Sequence, residues 1–146
     1  MTLDDLPGRI GQPLGTSDWI VIDAARIQGF ADATLDHQWI HLDATRAAAG
    51  PYGGPIAHGF LTLSLLSAMA TTAFSVAGAR MGVNYGLNRV RFPAAVPAGG
   101  RVRGHFVLQS LEPIDGGVQL VLAVTVDCEG VGKPVCVAEW VLRYLR

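Results

Sequence analysis

Charged residues are scarce in this sequence, and the two signs nearly cancel. Of its 146 residues only 16% are Asp, Glu, Lys or Arg, and 11 basic residues against 12 acidic ones give a net charge of −1. This balance, without any basic run, argues against a nucleic-acid-binding surface. Half of the residues are hydrophobic, which excludes an intrinsically disordered chain and supplies the core of a single domain spanning residues 1–146.

Cysteines and targeting signals are also scarce. The two cysteines, Cys128 and Cys136, match no zinc-site spacing but flank a predicted turn at Glu129–Pro134, so they could face each other across a hairpin. Residues 1–5 carry two aspartates where a secretory signal would have a basic segment, so a cytoplasmic location is predicted. In that compartment two reduced, packed thiols are the preferred interpretation.

One long run has no charge at all. The 21 residues of Gly59–Ala79 lie between His58 and Arg80 and are numerous enough to span a bilayer. Six Ser and Thr hydroxyls are spread along the run, however, and its flanks carry neither a one-sided basic cluster nor an aromatic belt. The run is therefore predicted to be the buried central helix of a soluble domain, not a membrane span.

Hydrophobic residues in the second half alternate with a period of two, which is typical of strands. The predicted strands are Asn84–Phe92, Arg101–Leu111, Val118–Asp127 and Val135–Leu145. A short earlier strand, Asp18–Asp23, precedes a helix that Asp23 caps and that runs to about Asp32. Short connections between long strands indicate an antiparallel sheet, so the predicted fold is α+β, with the sheet curled around the central helix. A helix enclosed in this way needs no polar face, which accounts for its lack of charge.

Two segments carry candidate chemistry. Asp36 and His41 lie close together in a loop-like stretch, where a carboxylate and an imidazole can share one water and the imidazole titrates near neutral pH. The same pair could instead cap a helix or close a turn. In the second segment Gly59 begins the apolar helix, and its backbone N–H could be approached closely by a ligand oxygen. The glycines around it could also serve loop geometry alone.

Taken together, these segments resemble the MaoC-like dehydratase family, the (R)-specific enoyl-CoA hydratases of hot-dog fold, over nearly the whole chain. The resemblance rests on Asp36-x4-His41-x-Asp43 followed by Ile56-Ala57-His58-Gly59. The stretch Asn84–Pro93 also resembles the strand after the family's central helix. The form Asp-His-Gln-Trp-Ile-His is similar to that of the family's NodN-like branch.

The resemblance implies that Asp36 and His41 are the catalytic pair and that the N–H of Gly59 binds the thioester oxygen. Ser67 matches a helix serine of the active-site region in some relatives, although a helix serine commonly bonds its own backbone. Trp39 stands where the commoner hydratase motif, Asp-x-Asn-Pro-x-His, has its proline. Trp39 could therefore line or narrow the acyl pocket.

The implied reaction is the reversible addition of water to trans-2-enoyl-CoA, which gives (R)-3-hydroxyacyl-CoA. The resemblance implies a homodimeric hydro-lyase that needs no metal ion and no cofactor beyond the coenzyme A of its substrate. Two alternatives stay open: a hot-dog acyl-CoA thioesterase and a non-catalytic acyl-CoA-binding subunit.

Cationic side chains are needed near the phosphates of coenzyme A. The candidates, which could equally be ordinary exposed arginines of a sheet, are Arg89, Arg91, Arg101 and Arg103. The remaining histidines, His37, His58 and His105, show no independent sign of a catalytic role. His58 is expected to hold the loop before the central helix.

Overall fold

A six-stranded antiparallel sheet is the largest element of the computed structural model, which describes residues 1–146. The strands are β1 (Pro13–Thr16), β2 (Ile20–Ile22), β3 (Met81–Arg91), β4 (Gly100–Ile114), β5 (Gly117–Cys128) and β6 (Cys136–Leu145). They are ordered β1-β4-β5-β6-β3, and β2 also pairs with β4, so β3 forms one edge of the sheet. The predicted α+β class and antiparallel sheet are confirmed.

All of the helices lie in the first half of the chain. They are a 3₁₀ helix (Leu3–Arg9), α1 (Ala24–Thr34), α2 (Trp39–Leu42), α3 (Ala44–Ala48), α4 (Gly59–Ser64) and α5 (Leu66–Ala73). Of these, α4, α5 and the N-terminal 3₁₀ helix contact the sheet. As predicted, Asp23 caps α1, because its carboxylate accepts a 2.8 Å hydrogen bond from the N–H of Arg26. No helix combines the length and the hydrophobicity that crossing a bilayer requires.

The core lies between α4, α5 and the inner face of the sheet. Strand β4 buries Val102, Phe106 and Leu108 completely, as its period-two pattern predicts. The ring of Phe106 packs against Phe74, with ring centroids 5.6 Å apart, and against Trp140 at 6.4 Å. Burial of such large apolar side chains is the main stabilising contribution to the domain.

The central helix is shorter than the sequence predicts. It consists of α4 and α5, which meet at Leu65, and it ends at Ala73 because Phe74 adopts an extended backbone. The Phe74 ring then enters the core, and Ala77 pairs with the N-terminal segment through hydrogen bonds to Met1 and Leu3. Phe74, Val76 and Ala79 thus pack against the core from a non-helical segment, a case that composition alone does not distinguish from a helix.

The helix is also not enclosed on all sides, contrary to the prediction. Its inner face is buried, including Leu61, Leu66 and Met69. An opposite face is exposed and consists of Phe60, Ser64, Ser67, Ala68 and Thr71. Enclosure by the sheet therefore explains the lack of charge on only one side of the helix.

Both cysteines are buried free thiols, which agrees with the preferred interpretation. The strand register pairs Cys136 with Val126 and Cys128 with Val102, so the two thiols do not face each other across the hairpin. Burial raises the pKa of Cys136 to about 11. This thiol is therefore protonated and unreactive at neutral pH.

Candidate active site

Asp36 lies in a turn that an unusual backbone conformation creates. Helix α1 ends at Leu35, whose φ of 64° is the one positive value at a residue other than glycine. Such a conformation costs about 1–3 kcal/mol and is found preferentially at functional sites. It reverses the chain, so the Asp36 carboxylate stands exposed at the rim of a cavity, where it accepts a 3.3 Å hydrogen bond from the N–H of Gln38.

His41 lies on the short helix α2 with only 8% of its surface exposed. Its Nδ1 is 2.6 Å from the carbonyl oxygen of Ile56. Because a carbonyl oxygen can only accept, Nδ1 carries the proton and donates it to this hydrogen bond. The other nitrogen, Nε2, therefore keeps a free lone pair that can accept a proton.

The Ile56 carbonyl is held in place from both sides. The N–H of Ile56 donates to the carbonyl of Ile40 at 3.1 Å, and the N–H of Ala57 donates to Val96 at 2.8 Å. The loop before α4 is thus tied to α2 and to the segment before β4. This attachment explains why a loop rich in glycine and proline can orient the His41 imidazole.

The surroundings of His41 favour its neutral form. Burial is the largest influence and lowers the pKa of His41 below its ordinary value. The hydrogen bond to Ile56 raises the pKa again, His58 lowers it, and Asp36 raises it. Because the net shift is downward, His41 is neutral at pH 7 and can act as a base.

His58 joins Asp36 and His41 in the same cluster, although the sequence alone indicated only a structural role for it. One ligand atom from each of the three side chains lies within 4.8 Å of the others. The ring of His58 is stacked on that of His41, with centroids 3.7 Å apart and planes inclined by 24°. The only sequence signal for this contact was the position of His58 directly before Gly59.

Gly59 is the first residue of α4 and lies beside the same cavity. A Cβ at this position would lie 2.9 Å from Cδ2 of the Phe92 ring, so a glycine is needed for the ring to pack here. His58 provides no side-chain cap to α4. The N–H of Gly59, which has no partner within the helix, is therefore available to a ligand oxygen.

Two cavities meet at this site. One of about 230 Å³ is lined by Asp36, His41, His58, Gly59, Phe60 and Phe92. The other, of about 320 Å³, shares three of these residues and continues along a mostly apolar wall that includes Tyr52, Ala94, Val96 and Val135. The geometry thus places a base, a carboxylate and a backbone donor at the wall of one divided, largely apolar cavity.

Ser67 and Trp39 lie away from these two cavities. Ser67 is on the exposed face of the helix and lines two other cavities, of about 460 Å³ and 170 Å³, next to Asn84 and Trp140. The ring of Trp39 packs against Gly50 and lies under the Arg46 guanidinium at 4.3 Å. Ile40, and not Trp39, lines the cavity that contains His41 and Gly59.

The four candidate arginines divide into two pairs. Arg101 forms a bidentate ion pair with Glu129, with distances of 2.7 and 2.8 Å, and Arg103 stacks over Trp19 at 4.4 Å. Arg89 and Arg91 form no ion pair and line a separate cavity of about 460 Å³ on the sheet. Arg101 is therefore the only one of the four that pairs with a carboxylate, and Arg89 and Arg91 are the two unpaired arginines that share a cavity.

An antiparallel sheet packed on a central helix, with a carboxylate and a neutral imidazole at the start of that helix, defines a hot-dog protein with an acid–base site. The chain belongs to the MaoC-like family, because the MaoC like domain matches residues 5–128.

Curated relatives and solved structures agree with this assignment. The chain is 50% identical over 142 residues to 3-hydroxyacyl-thioester dehydratase Z of Mycobacterium tuberculosis, covering 97% of this chain and 94% of the relative. It is also 50% identical over 145 residues to nodulation protein N of Rhizobium leguminosarum, covering 97% and 89%. The unliganded R-hydratase PhaJ1 of Pseudomonas aeruginosa superposes with a TM-score of 0.77 at 26% identity, covering 94% and 82%. The predicted family, and its NodN-like branch, are confirmed.

Proposed function

We propose that this protein is an (R)-specific enoyl-CoA hydratase, a hydro-lyase that adds water reversibly to trans-2-enoyl-CoA and gives (R)-3-hydroxyacyl-CoA. The observation that carries the proposal is the His41 tautomer, because the bond from Nδ1 to Ile56 leaves Nε2 free beside Asp36. The relative named 3-hydroxyacyl-thioester dehydratase Z supports the same reaction class.

The reaction follows from the positions of three groups. In hydration, a water between Asp36 and His41 gives its proton to Nε2 of His41, and its oxygen bonds to C3 of the enoyl group. The electron pair of the double bond moves toward the thioester oxygen, where the N–H of Gly59 stabilises the negative charge by about 3 kcal/mol, as single oxyanion donors do. Asp36 orients the water and helps to return the proton to C2. Neither a metal ion nor a separate cofactor is needed for these steps.

The acyl end of the substrate would enter this site, and the nucleotide of coenzyme A would stay outside the two cavities. The reacting thioester would occupy the two cavities that meet at His41 and Gly59. Arg91 directly precedes Phe92, which lines both of those cavities. We therefore assign the phosphates of coenzyme A to Arg89 and Arg91, which form no ion pair and line one cavity together with Glu139.

A homodimer would cover the exposed edge of the sheet. Strand β3 is an edge strand of 11 residues that exposes Met81, Tyr85 and Leu87. Long exposed edge strands are normally covered, because their free N–H and C=O groups would otherwise pair with other chains. Pairing with β3 of a second copy would cover this edge. Size-exclusion chromatography with light scattering tests the proposal, and a monomer at micromolar concentration would contradict it.

The decisive experiment follows the absorbance of the conjugated enoyl thioester for crotonyl-CoA, octenoyl-CoA and longer enoyl-CoAs. We expect the wild-type protein to consume the double bond and the Asp36→Asn variant to do so far more slowly. A parallel assay with a thiol reagent detects free coenzyme A. Its release would favour the thioesterase, whereas acyl-CoA binding without any turnover would favour the non-catalytic subunit.

A further inference from the structure

His58 is the side chain that contacts both members of the proposed catalytic pair. Its ring lies against Phe30 at 4.9 Å and against His41 at 3.7 Å between centroids, and only 3% of its surface is exposed. Its Nε2 is 3.0 Å from the backbone carbonyl of Asp36. One buried ring is thus attached to the backbone of one catalytic residue and to the ring face of the other.

The hydrogen bond to Asp36 fixes the His58 tautomer. Because the carbonyl can only accept, Nε2 carries the proton, and Nδ1 is left as an acceptor. This Nδ1 is buried and has no hydrogen-bond partner. A buried acceptor without a partner is destabilising, so an apolar ring would suit the packing better. The polar edge of His58 is explained by its contact with Asp36.

Both catalytic residues need such support because neither lies in a long helix or strand. Asp36 follows the left-handed Leu35 in a turn, and its carboxylate is exposed. His41 belongs to a helix of only four residues. His58, by contrast, directly precedes α4, and the carbonyl of His58 accepts hydrogen bonds from Leu61 and Thr62. It therefore connects two weakly held residues to the central helix.

We propose that His58 is a positioning residue, which sets the distance between the Asp36 carboxylate and Nε2 of His41 so that the two can share one water. This inference rests on the proposed hydratase activity. Two properties are required together: a flat ring that stacks on His41, and an N–H on the ring edge that reaches the Asp36 carbonyl. Phenylalanine offers only the first property, and glutamine offers only the second.

The test uses His58→Phe and His58→Gln, with His105→Gln as the control on the outer face of the sheet. For each variant the folded fraction, kcat, KM and the pH dependence of kcat/KM are measured with crotonyl-CoA. We expect both His58 variants to lower kcat per folded molecule by about 10- to 100-fold with little change in KM, because small misplacements of catalytic groups have effects of this size. The His105→Gln variant should keep the wild-type kcat.

A purely structural role makes a different prediction. In that case activity would fall only in proportion to the folded fraction, because the molecules that stay folded would stabilise the transition state as the wild type does. A kcat per folded molecule within about twofold of wild type in both variants would therefore overturn the proposal. If one variant does not fold, the same criterion applies to the other.

A measurement without substrate separates this inference from the proposed function. The titration of the His41 ring is followed by NMR in the wild type and in His58→Gln. Removal of the stacked ring lets water reach His41, so its midpoint should move to higher pH. An unchanged midpoint would overturn the positioning role, whereas a wild-type protein that hydrates no enoyl thioester would instead overturn the proposed function.

Discussion

The Nδ1 of His41 donates a 2.6 Å hydrogen bond to the carbonyl oxygen of Ile56, and this contact decides which nitrogen of the ring keeps a free lone pair. The carbonyl belongs to the loop directly before Gly59, so one segment both orients the imidazole and presents the backbone donor. A shift of this loop would therefore move the proposed base, His41, and the proposed oxyanion donor, Gly59, together. The short spacing from Ile56 to Gly59 fits this joint role.

The low pKa of His41 predicts the acid limb of the activity. Burial, the largest cause, keeps the pKa below the ordinary value of 6.5, so kcat/KM should fall with a midpoint below pH 6.5 as the base becomes protonated. The contribution to stability has the same sign. The unfolded state binds the proton more readily, so this contribution is present above pH 6.5 and is lost as the pH falls through the range below it.

The measurements are a pH profile of kcat/KM and urea unfolding at several pH values. His41→Gln, which cannot titrate, should remove the acid limb from any residual activity and reduce the pH dependence of unfolding. An acid midpoint above pH 7 would contradict the assignment of His41 as a buried neutral base.

Replacement of the exposed carboxylate tests the other half of the pair. Asp36→Asn keeps the shape of the side chain but removes the charge that orients the water, so we expect kcat to fall by about 10²- to 10⁴-fold. Thermal unfolding should change little, because the carboxylate is exposed. Asp18→Asn, another exposed aspartate in a loop, is the matched control and should retain full activity. Equal rates in the two variants would exclude Asp36 from the chemistry.

The strands were predictable, because a period-two pattern records which face of a strand is buried. The prediction of Asn84–Phe92 is close to the observed Met81–Arg91. The end of the central helix was not predictable, because Phe74, Val76 and Ala79 pack against the core from a non-helical segment as they could from a helix. Strand β1 was missed for a related reason. Its partner is β4, with Pro13 opposite Val107, and such long-range pairing leaves no local pattern.

The residues of the candidate site also divide into those that a local motif indicates and those that only long-range contacts reveal. Asp36, His41 and Gly59 were indicated because their motif lies within short stretches of sequence. The part played by His58 depends on the stacking of its ring on His41, a contact between elements separated in sequence. The ion pair between Arg101 and Glu129 likewise depends on the pairing of β4 with β5. This pairing extends past the end of β5, where the N–H of Glu129 donates to the carbonyl of Arg101. The roles of His58 and Arg101 therefore depend on contacts between segments distant in sequence, which residue type alone does not reveal.

Substitution of Gly59 should show why a glycine occupies this position. The Cβ of Gly59→Ala would lie 2.9 Å from the Phe92 ring, so the ring has to move, at a cost of about 1–3 kcal/mol typical of overpacking. In a Phe92→Leu background this loss should be smaller, because the flat ring is absent. A double-mutant cycle of urea unfolding measures the coupling. Equal losses in both backgrounds would contradict the proposed contact.

Metal removal should leave the activity intact. Asp36, His41 and His58 are close enough to hold a cation. The proposed chemistry instead uses this space for water. Dialysis against EDTA should therefore not change kcat. A loss of activity that Zn²⁺ restores, and Mg²⁺ does not, would contradict a metal-free hydratase.

Arg89 and Arg91, which form no ion pair, predict a preference for coenzyme A thioesters over thioesters without phosphates. Arg89→Gln with Arg91→Gln should raise KM for enoyl-CoA by about tenfold, equivalent to roughly 1.4 kcal/mol of binding, and should leave kcat unchanged. Thioesters of N-acetylcysteamine lack the nucleotide phosphates, so their kcat/KM should be the same in the wild type and in the double variant.

Arg146→Gln is the control for loss of positive charge, since Arg146 is exposed, pairs with Asp4 at 2.8 Å and lines none of these cavities. It should leave both substrates unaffected. Raising the salt concentration should increase KM for enoyl-CoA in the wild type more than in the double variant, because exposed charge pairs are screened by salt. An equal salt dependence in the two proteins would place the phosphates elsewhere on the molecule.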